Sequence, residues 1–178
     1  MKQRTHGTTI LGVRRNGKSV MGGDGQITLG DVVLKHRTTK IRKLYNDSIL
    51  VGFAGGTADA LALLDHFETR LEEFGGQLER AAHELARDWR TDRILRRLEA
   101  MIIAMDQKSS LIISGEGDLL APDDDVLSIG SGAPYATAAA RAYLDGSKLG
   151  AAQVVKRSLE IAAELCIYTN SDIQIREL

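Results

Sequence analysis

The fold is decided by two similar stretches of sequence, SILVGFAGGTADA at residues 48–60 and VLSIGSGAPYATA at residues 126–138. Each begins as a short apolar run typical of a buried strand, passes through a glycine-rich turn and continues into alanine-rich sequence typical of a helix. A hairpin pattern precedes each stretch, and two helical patterns follow it. We therefore interpret the two stretches as equivalent strand-to-helix joints in two similar halves of one chain.

The segments around these joints complete the pattern. Residues 8–15 and 18–21 are β-prone runs separated by Asn16-Gly17, a strong hairpin signal. Apolar residues at helical spacing predict one helix over residues 58–74 and a longer one from residue 77 to about residue 105. The remaining predicted elements are a hairpin over residues 109–120, a strand at 126–129, helices over 135–144 and 149–165, and closing strands at 166–169 and 173–175.

Two halves that each supply antiparallel strands and a helix pair pack most economically as two sheets face to face with the helices outside. The chain of 178 residues has the length of one domain, and it contains no linker or low-complexity tract. We therefore predict a single α+β domain.

Composition excludes several classes of protein. The formal net charge of −1 gives no global attraction to nucleic acid or to an anionic membrane. The longest apolar runs are far shorter than the ~20 residues of a membrane span, and the N-terminal MKQRTHG lacks the apolar core of a signal peptide. A single cysteine, Cys166, excludes an intramolecular disulfide and a cysteine-based zinc cluster. We expect a cytoplasmic protein.

The glycine joints allow three interpretations. A glycine turn between a strand and a helix can bind phosphate, but residues 52–57 lack the lysine of a P-loop, and residues 130–132 lack the third glycine of a dinucleotide motif. Such a turn can also form an oxyanion hole, in which backbone N–H groups stabilise developing negative charge. Close packing of helix on strand is the third interpretation. The sequence disfavours the first and leaves the other two open.

An oxyanion hole requires a nucleophile, and no serine stands in a G-x-S-x-G motif. The remaining candidate is Thr8, which opens the first predicted strand and follows Gly7. If the bond between these two residues were cut, Thr8 would present a hydroxyl group together with its own α-amine. The pKa of an α-amine, about 7.7–8.0, suits a general base at neutral pH.

Two further residues fit such a site. Asp24 lies in the bend GGDG after the predicted hairpin, and Lys40 follows sixteen residues later. A lysine ammonium group near the N-terminal amine would keep that amine neutral, and a carboxylate would hold the lysine in place. The alternative is an aspartate that favours a turn and a lysine that is solvated. The residues alone leave both interpretations open.

Several motifs together resemble one family. They are TTILGVRRNG, GGDGQITLG, KIRKLYND, VGFAGGTADA, LARDWRTDRILRRLEA, IGSGAPYATAAARA and CIYTN, which run from residue 8 almost to the C-terminus. These motifs resemble the HslV (ClpQ) peptidase family, the proteolytic subunits of bacterial ATP-dependent HslUV proteases and relatives of proteasome β subunits. The resemblance implies an N-terminal nucleophile (Ntn) hydrolase, a four-layer αββα sandwich of two antiparallel sheets flanked by helices.

The resemblance also implies a threonine endopeptidase with residues 1–7 as a propeptide and residues 8–178 as the peptidase domain. The family's nucleophile falls on Thr8, its lysine on Lys40, its aspartate on Asp24 and its serine on Ser131. The amide that stabilises the oxyanion falls on Gly55. A monovalent cation, typically sodium, is bound in the family by backbone carbonyls, which fall on Ala163, Cys166 and Thr169.

The same resemblance implies partners. It predicts a dodecamer of two stacked hexameric rings and a hexameric HslU-type AAA+ ATPase that delivers unfolded protein substrates. Because this sequence contains no ATP-binding motif, ATP is expected to be used only by that partner. The alternatives are a catalytically silent ring-forming scaffold of the same fold and an N-terminal hydrolase that cleaves amide bonds in a small molecule.

Overall fold

The computed structural model describes residues 5–6, 8–114 and 116–178. Its strands in chain order are β1 (Thr5–His6), β2 (Thr9–Arg15), β3 (Lys18–Gly23), β4 (Ile27–Leu29), β5 (Val32–Lys35), β6 (Ile41–Leu44), β7 (Ile49–Gly55), β8 (Ala100–Met105), β9 (Ser110–Ser114), β10 (Leu119–Leu120), β11 (Val126–Gly130) and β12 (Gln174–Glu177). The helices are α1 (Thr57–Glu73), α2 (Leu78–Thr91), α3 (Ala133–Gly146) and α4 (Ala151–Leu165).

Two antiparallel sheets form the centre of the molecule. One has the strand order β11-β2-β3-β12, and the other has the order β10-β9-β8-β7-β6. Helices α3 and α4 pack on the first sheet, and α1 and α2 pack on the second. A third, smaller sheet has the order β1-β4-β5. The predicted α+β sandwich of two sheets flanked by helices is confirmed.

The central strands are buried on both faces because each sheet lies between a helix layer and the other sheet. In β2, Ile10 packs into the core between the sheets, whereas Leu11 and Val13 pack under α3 and α4. In β7, Leu50 faces the core between the sheets and Val51 faces α1 and α2. This two-sided burial explains why the strands read as nearly continuous apolar runs rather than as alternating ones.

Each sheet takes strands from both halves of the chain. The first hairpin, β2-β3, pairs with β11 from the second half, with Thr9 opposite Gly130 at the end of the ladder. Strand β7 pairs in the same way with β8. The pairing of β2 with β11 places the second glycine joint directly beside the start of β2.

The single long helix predicted from residue 77 to about residue 105 is wrong. Helix α2 ends at Thr91, where the Asp92 carboxylate accepts hydrogen bonds from the N–H groups of Ile94 (2.7 Å) and Leu95 (2.9 Å). A short 3₁₀ helix follows, and residues 100–105 form β8 between β7 and β9. The run AMIIAM is buried as a central strand, so tertiary pairing outweighs the chance helical spacing of the apolar residues before it.

The predicted strand at residues 166–169 is also wrong. These residues form a turn, in which the Thr169 N–H donates to the Cys166 carbonyl at 3.0 Å. The last strand is β12, which pairs with β3. None of the helices in the described part of the chain is long and apolar enough to cross a membrane.

Candidate active site

Thr8 lies directly before β2 and is 8% exposed. Its carbonyl accepts a hydrogen bond from the Ser131 N–H at 2.9 Å. Gly130 has a φ of +97°, and a Cβ atom added there would lie 2.0 Å from the same carbonyl oxygen. The second joint can therefore approach Thr8 this closely only because residue 130 is glycine.

A buried ion pair lies next to Thr8. Asp24, in the bend after β3, accepts hydrogen bonds through Oδ1 from Lys40 Nζ (3.0 Å) and from the Thr9 N–H (2.7 Å). The Asp24 N–H donates to the Thr9 carbonyl at 3.2 Å. Asp24 and Lys40 are 1% and 4% exposed. The carboxylate thus binds the lysine and the backbone of the residue after Thr8 at the same time.

Burial lowers the pKa of Lys40 below its ordinary value, because the loss of solvent outweighs the attraction and hydrogen bond of Asp24. The Nζ group also donates to the carbonyl of Gln26 at 2.5 Å. A desolvated ammonium group of this kind exchanges its proton more readily and acts strongly on neighbouring ionisable groups. It would favour the neutral form of a nearby amine.

Gly55 ends β7 with a φ of +120° and lies opposite Ala100. The hydrogen bond beside this pair runs from the Gly56 N–H to the Glu99 carbonyl at 3.3 Å, which is the pattern of a non-hydrogen-bonded pair. The ladder with β8 therefore does not use the Gly55 N–H. On the other edge of β7, the Phe53 N–H donates to the Lys40 carbonyl at 3.2 Å, so this joint adjoins the lysine.

The loop after α4 reaches the same region. The Cys166 N–H donates to the Ala162 carbonyl at 2.8 Å, and the hydroxyl group of Thr169 lies 2.7 Å from that of Thr9. The Ala163 carbonyl lies in the last turn of α4, where carbonyl groups point toward the C-terminal end of the helix. The carbonyl oxygens at residues 163, 166 and 169 are hard donors that fit a sodium ion. The described residues contain no cluster of three His, Cys, Asp or Glu side chains that could hold a metal.

The structure brings Thr8, Asp24, Lys40 and Ser131 together, with Gly55 on the strand that contacts Lys40. The catalytic and metal-binding roles of these residues stay predictions. The leader predicted at residues 1–7 is described only at Thr5–His6, which pair with Leu29 and Thr28 of β4. Gly7 and residues 1–4 lie outside the described residues, so the proposed Gly7–Thr8 cleavage also stays a prediction.

Three residues of the site were missed by the sequence analysis: Thr9, Gln26 and Asn170. The side chain of Gln26 donates to Thr28 Oγ1 and to the Ile167 carbonyl, both at 2.9 Å. Asn170 accepts from the Gly25 N–H at 3.1 Å and donates to the His36 carbonyl at 2.8 Å. Asparagine is typical of turns, and Asn170 ends the motif CIYTN, which is the one signal that could have pointed to it.

Comparisons with known proteins agree with the predicted resemblance. The model of the family described as Proteasome subunit matches residues 4–178. A relative from Pseudothermotoga lettingae, named ATP-dependent protease subunit HslV, is 57% identical over 171 residues, which are 96% of this chain and 97% of the relative. These matches confirm the resemblance to the HslV family.

Solved structures agree as well. Eukaryotic HslV from Trypanosoma brucei superimposes with a TM-score of 0.91 at 41% identity, covering 96% of this chain and 98% of that one. BPH from Thiobacillus denitrificans, solved in complex with epoxomicin, has a TM-score of 0.74 at 19% identity, covering 96% and 97% of the two chains. At this lower identity the second match shows the fold alone.

Proposed function

The chain belongs to the proteasome subunit family and is a threonine-type peptidase subunit, and we propose that Thr8 is its nucleophile once residues 1–7 are removed. The predicted enzyme class is confirmed by the relatives. One observation carries the assignment of Thr8. The buried Asp24 carboxylate binds both Lys40 and the backbone N–H of Thr9, and this places a charged pair beside the residue that removal of the leader would free.

In the proposed mechanism, the Thr8 hydroxyl oxygen attacks the carbonyl carbon of the scissile peptide bond. The α-amine of Thr8 takes the hydroxyl proton and then transfers it to the leaving amine. The Lys40 ammonium group favours the neutral amine before attack, and Asp24 holds Lys40 in position. The Gly55 N–H donates to the oxyanion. Water then attacks the ester, which releases the acid product and restores the threonine hydroxyl group.

We also propose the cation and the partners. The carbonyl oxygens of Ala163, Cys166 and Thr169 would hold a sodium ion, which would stiffen the loop that contacts Thr9. The relative named ATP-dependent protease subunit HslV supports an HslU-type AAA+ ATPase hexamer as the partner. The proposed assembly is a dodecamer of two hexameric rings. The proposed substrates are unfolded proteins delivered by that ATPase in the cytoplasm.

The test is N-terminal sequencing and intact mass of the purified chain, followed by hydrolysis of a fluorogenic peptide with and without the ATPase and ATP. We expect a mature chain that begins at Thr8, and cleavage that rises when the ATPase is added. Thr8→Ala should lower kcat by at least about 10³-fold, and Thr8→Ser should retain part of the activity because it keeps the hydroxyl group.

Two results would contradict the proposal. Activity of Thr8→Ala equal to that of the unaltered chain would move the nucleophile to another residue. A chain that retains Met1, assembles normally and cleaves nothing would instead be a silent scaffold. Circular dichroism and size-exclusion chromatography of Thr8→Ala separate loss of chemistry from loss of fold.

A further inference from the structure

Thr9 connects three separate elements through four hydrogen bonds. Its N–H donates to Asp24 Oδ1 (2.7 Å), and its carbonyl accepts from the Asp24 N–H (3.2 Å). Its hydroxyl oxygen accepts from the Gly132 N–H (3.0 Å) and lies 2.7 Å from Thr169 Oγ1. The bend after β3, the turn before α3 and the loop after α4 are therefore all bound by this one residue of β2.

The packing around this hydroxyl group is tight. A Cβ atom added to Gly132 would lie 2.4 Å from Thr9 Oγ1 and 2.7 Å from Thr169 Oγ1. Thr9 is 0% exposed, and burying a hydroxyl group costs free energy unless the group is hydrogen-bonded. Valine has nearly the same shape and would fill this space without that cost. The observed hydrogen bonds thus indicate that the position requires the polar group of threonine.

We propose that Thr9 is a positioning residue, whose hydroxyl group, held by the Gly132 N–H and by Thr169, fixes the orientation of Thr8 for attack. This inference rests on the proposed function of Thr8. After removal of the leader, Thr8 is the chain terminus, and terminal residues are mobile unless they are tied down. One bond from Ser131 holds its carbonyl. The hydrogen bonds of Thr9, the next residue in the chain, add a further constraint on Thr8.

The proposal predicts an effect on kcat rather than on KM. Thr9→Val keeps the shape but leaves the Gly132 N–H without its acceptor and Thr169 without its partner. Misorientation of a nucleophile by a fraction of an ångström lowers the rate of the chemical step, on the order of tenfold to hundredfold. Thr9→Ser keeps the hydroxyl group, and we expect it to restore most of the activity.

The experiment measures kcat and KM for a fluorogenic peptide with the mature, assembled protein in the presence of the ATPase and ATP. The variants are Thr9→Val, Thr9→Ser, Thr169→Val and the double variant with both valines. Because the two threonines share one hydrogen bond, the loss in the double variant should be smaller than the product of the two single losses. Thr169→Val also tests the proposal if Thr9→Val fails to fold.

Ser19→Ala is the matched control. Ser19 is fully buried in the same hairpin, and its hydroxyl group donates to the Asp106 carbonyl at 2.7 Å, but it pairs with Arg14 at the far end of the ladder. We expect the loss of this buried hydroxyl group to lower thermal stability and leave kcat within about twofold.

The outcomes distinguish failure of the positioning role of Thr9 from failure of the proposed function of Thr8. A kcat of Thr9→Val within about twofold of the unaltered chain would overturn the positioning role, and so would an equal loss of kcat in Ser19→Ala. Absence of any peptide hydrolysis that depends on Thr8 would instead overturn the proposed function, whatever the Thr9 variants do. A fall in kcat at unchanged KM that Thr9→Ser reverses supports the proposal.

Discussion

The joint before α1 and the joint before α3 both begin with a glycine at positive φ, yet they pack against different parts of the molecule. Gly130 and its neighbours contact the backbone of Thr8 and the side chain of Thr9. Gly55 and Gly56 contact the Glu99 carbonyl before β8. The second joint therefore holds Thr8, the proposed nucleophile, whereas the Gly55 N–H in the first joint is not used by the ladder with β8. Similar sequence makes different contacts in the two joints because the partner strands differ.

The largest expected effect comes from replacing the first glycine of each joint. In Gly130→Ala and in Gly55→Ala, the new Cβ atom would meet a carbonyl oxygen at 2.0 Å and 2.4 Å respectively, at a φ that alanine rarely adopts. Strain and overpacking together should lower the free energy of unfolding by about 2–5 kcal/mol in each variant. Urea denaturation measures this loss.

Gly130→Ala and Gly55→Ala should differ in whether residues 1–7 are removed. Because Gly130→Ala displaces the Thr8 carbonyl, we expect intact mass to show retention of residues 1–7 in this variant and their removal in Gly55→Ala. Normal leader removal in Gly130→Ala at unchanged stability would contradict the role assigned to the second joint.

The next largest expected difference is between Gly56 and Gly132, the second glycine of each joint. Each is the N-cap residue of the helix that follows. A Cβ atom at Gly132 would lie 2.4 Å from Thr9 Oγ1, whereas one at Gly56 would lie 3.4 Å from its nearest neighbour, in Asp59. Gly132→Ala should lower the free energy of unfolding by about 1–3 kcal/mol, and Gly56→Ala should change it by less than about 0.5 kcal/mol. Equal losses of the free energy of unfolding in the two variants would contradict the difference in packing between the two joints.

A smaller effect concerns the acidic residue that only the first joint has. Asp59, in the first turn of α1, accepts a hydrogen bond from the Glu99 N–H at 3.0 Å, whereas α3 has no acidic residue in its first turn. Asp59→Ala should lower the free energy of unfolding by about 0.5–1.5 kcal/mol. Asp65→Ala, at an exposed position in the middle of α1, is the control and should be nearly neutral.

A pH dependence is expected only on the side of the first joint, since residues 130–132 carry no ionisable side chain. The pKa of Lys40 is lowered from 10.5 in the folded chain. Between the lowered pKa and 10.5 the unfolded chain binds one more proton at this residue, so the free energy of unfolding should rise with pH in that window. Below and above this pH window, the contribution of Lys40 to the free energy of unfolding does not change with pH.

Lys40→Met should remove this rise, which is at most about 1.4 kcal/mol per pH unit. Denaturation of both proteins at a series of pH values measures the difference between their slopes. The test compares how the free energy of unfolding changes with pH rather than its absolute value, because the variant also leaves Asp24 without its cation and is destabilised for that reason. Parallel slopes for the two proteins would contradict the lowered pKa.

Local sequence signals predicted the joints and most of the helices, because glycine turns and helical spacing act over a few residues. They failed at residues 100–105, where pairing with β7 and β9 decides the structure and no local pattern shows it. The residues of the site likewise divide into those that local sequence predicted and those that it did not. Asp24 and Lys40 were predicted because charged residues beside tightly turned backbone can be recognised in the sequence. Thr9 and Asn170 were not, since their contacts lie 15 to 160 residues away in the chain.

The pairing of β2 with β11 has a consequence for synthesis of the protein. A ribosome adds about 5–20 residues each second, and Thr8 is among the first of them. The backbone that holds it, at residues 130–132, and the hydroxyl group of Thr169 emerge only when most of the chain has been made. An incomplete chain thus carries Thr8 without the contacts that support it, so the proposed nucleophile would be held in place only in finished molecules.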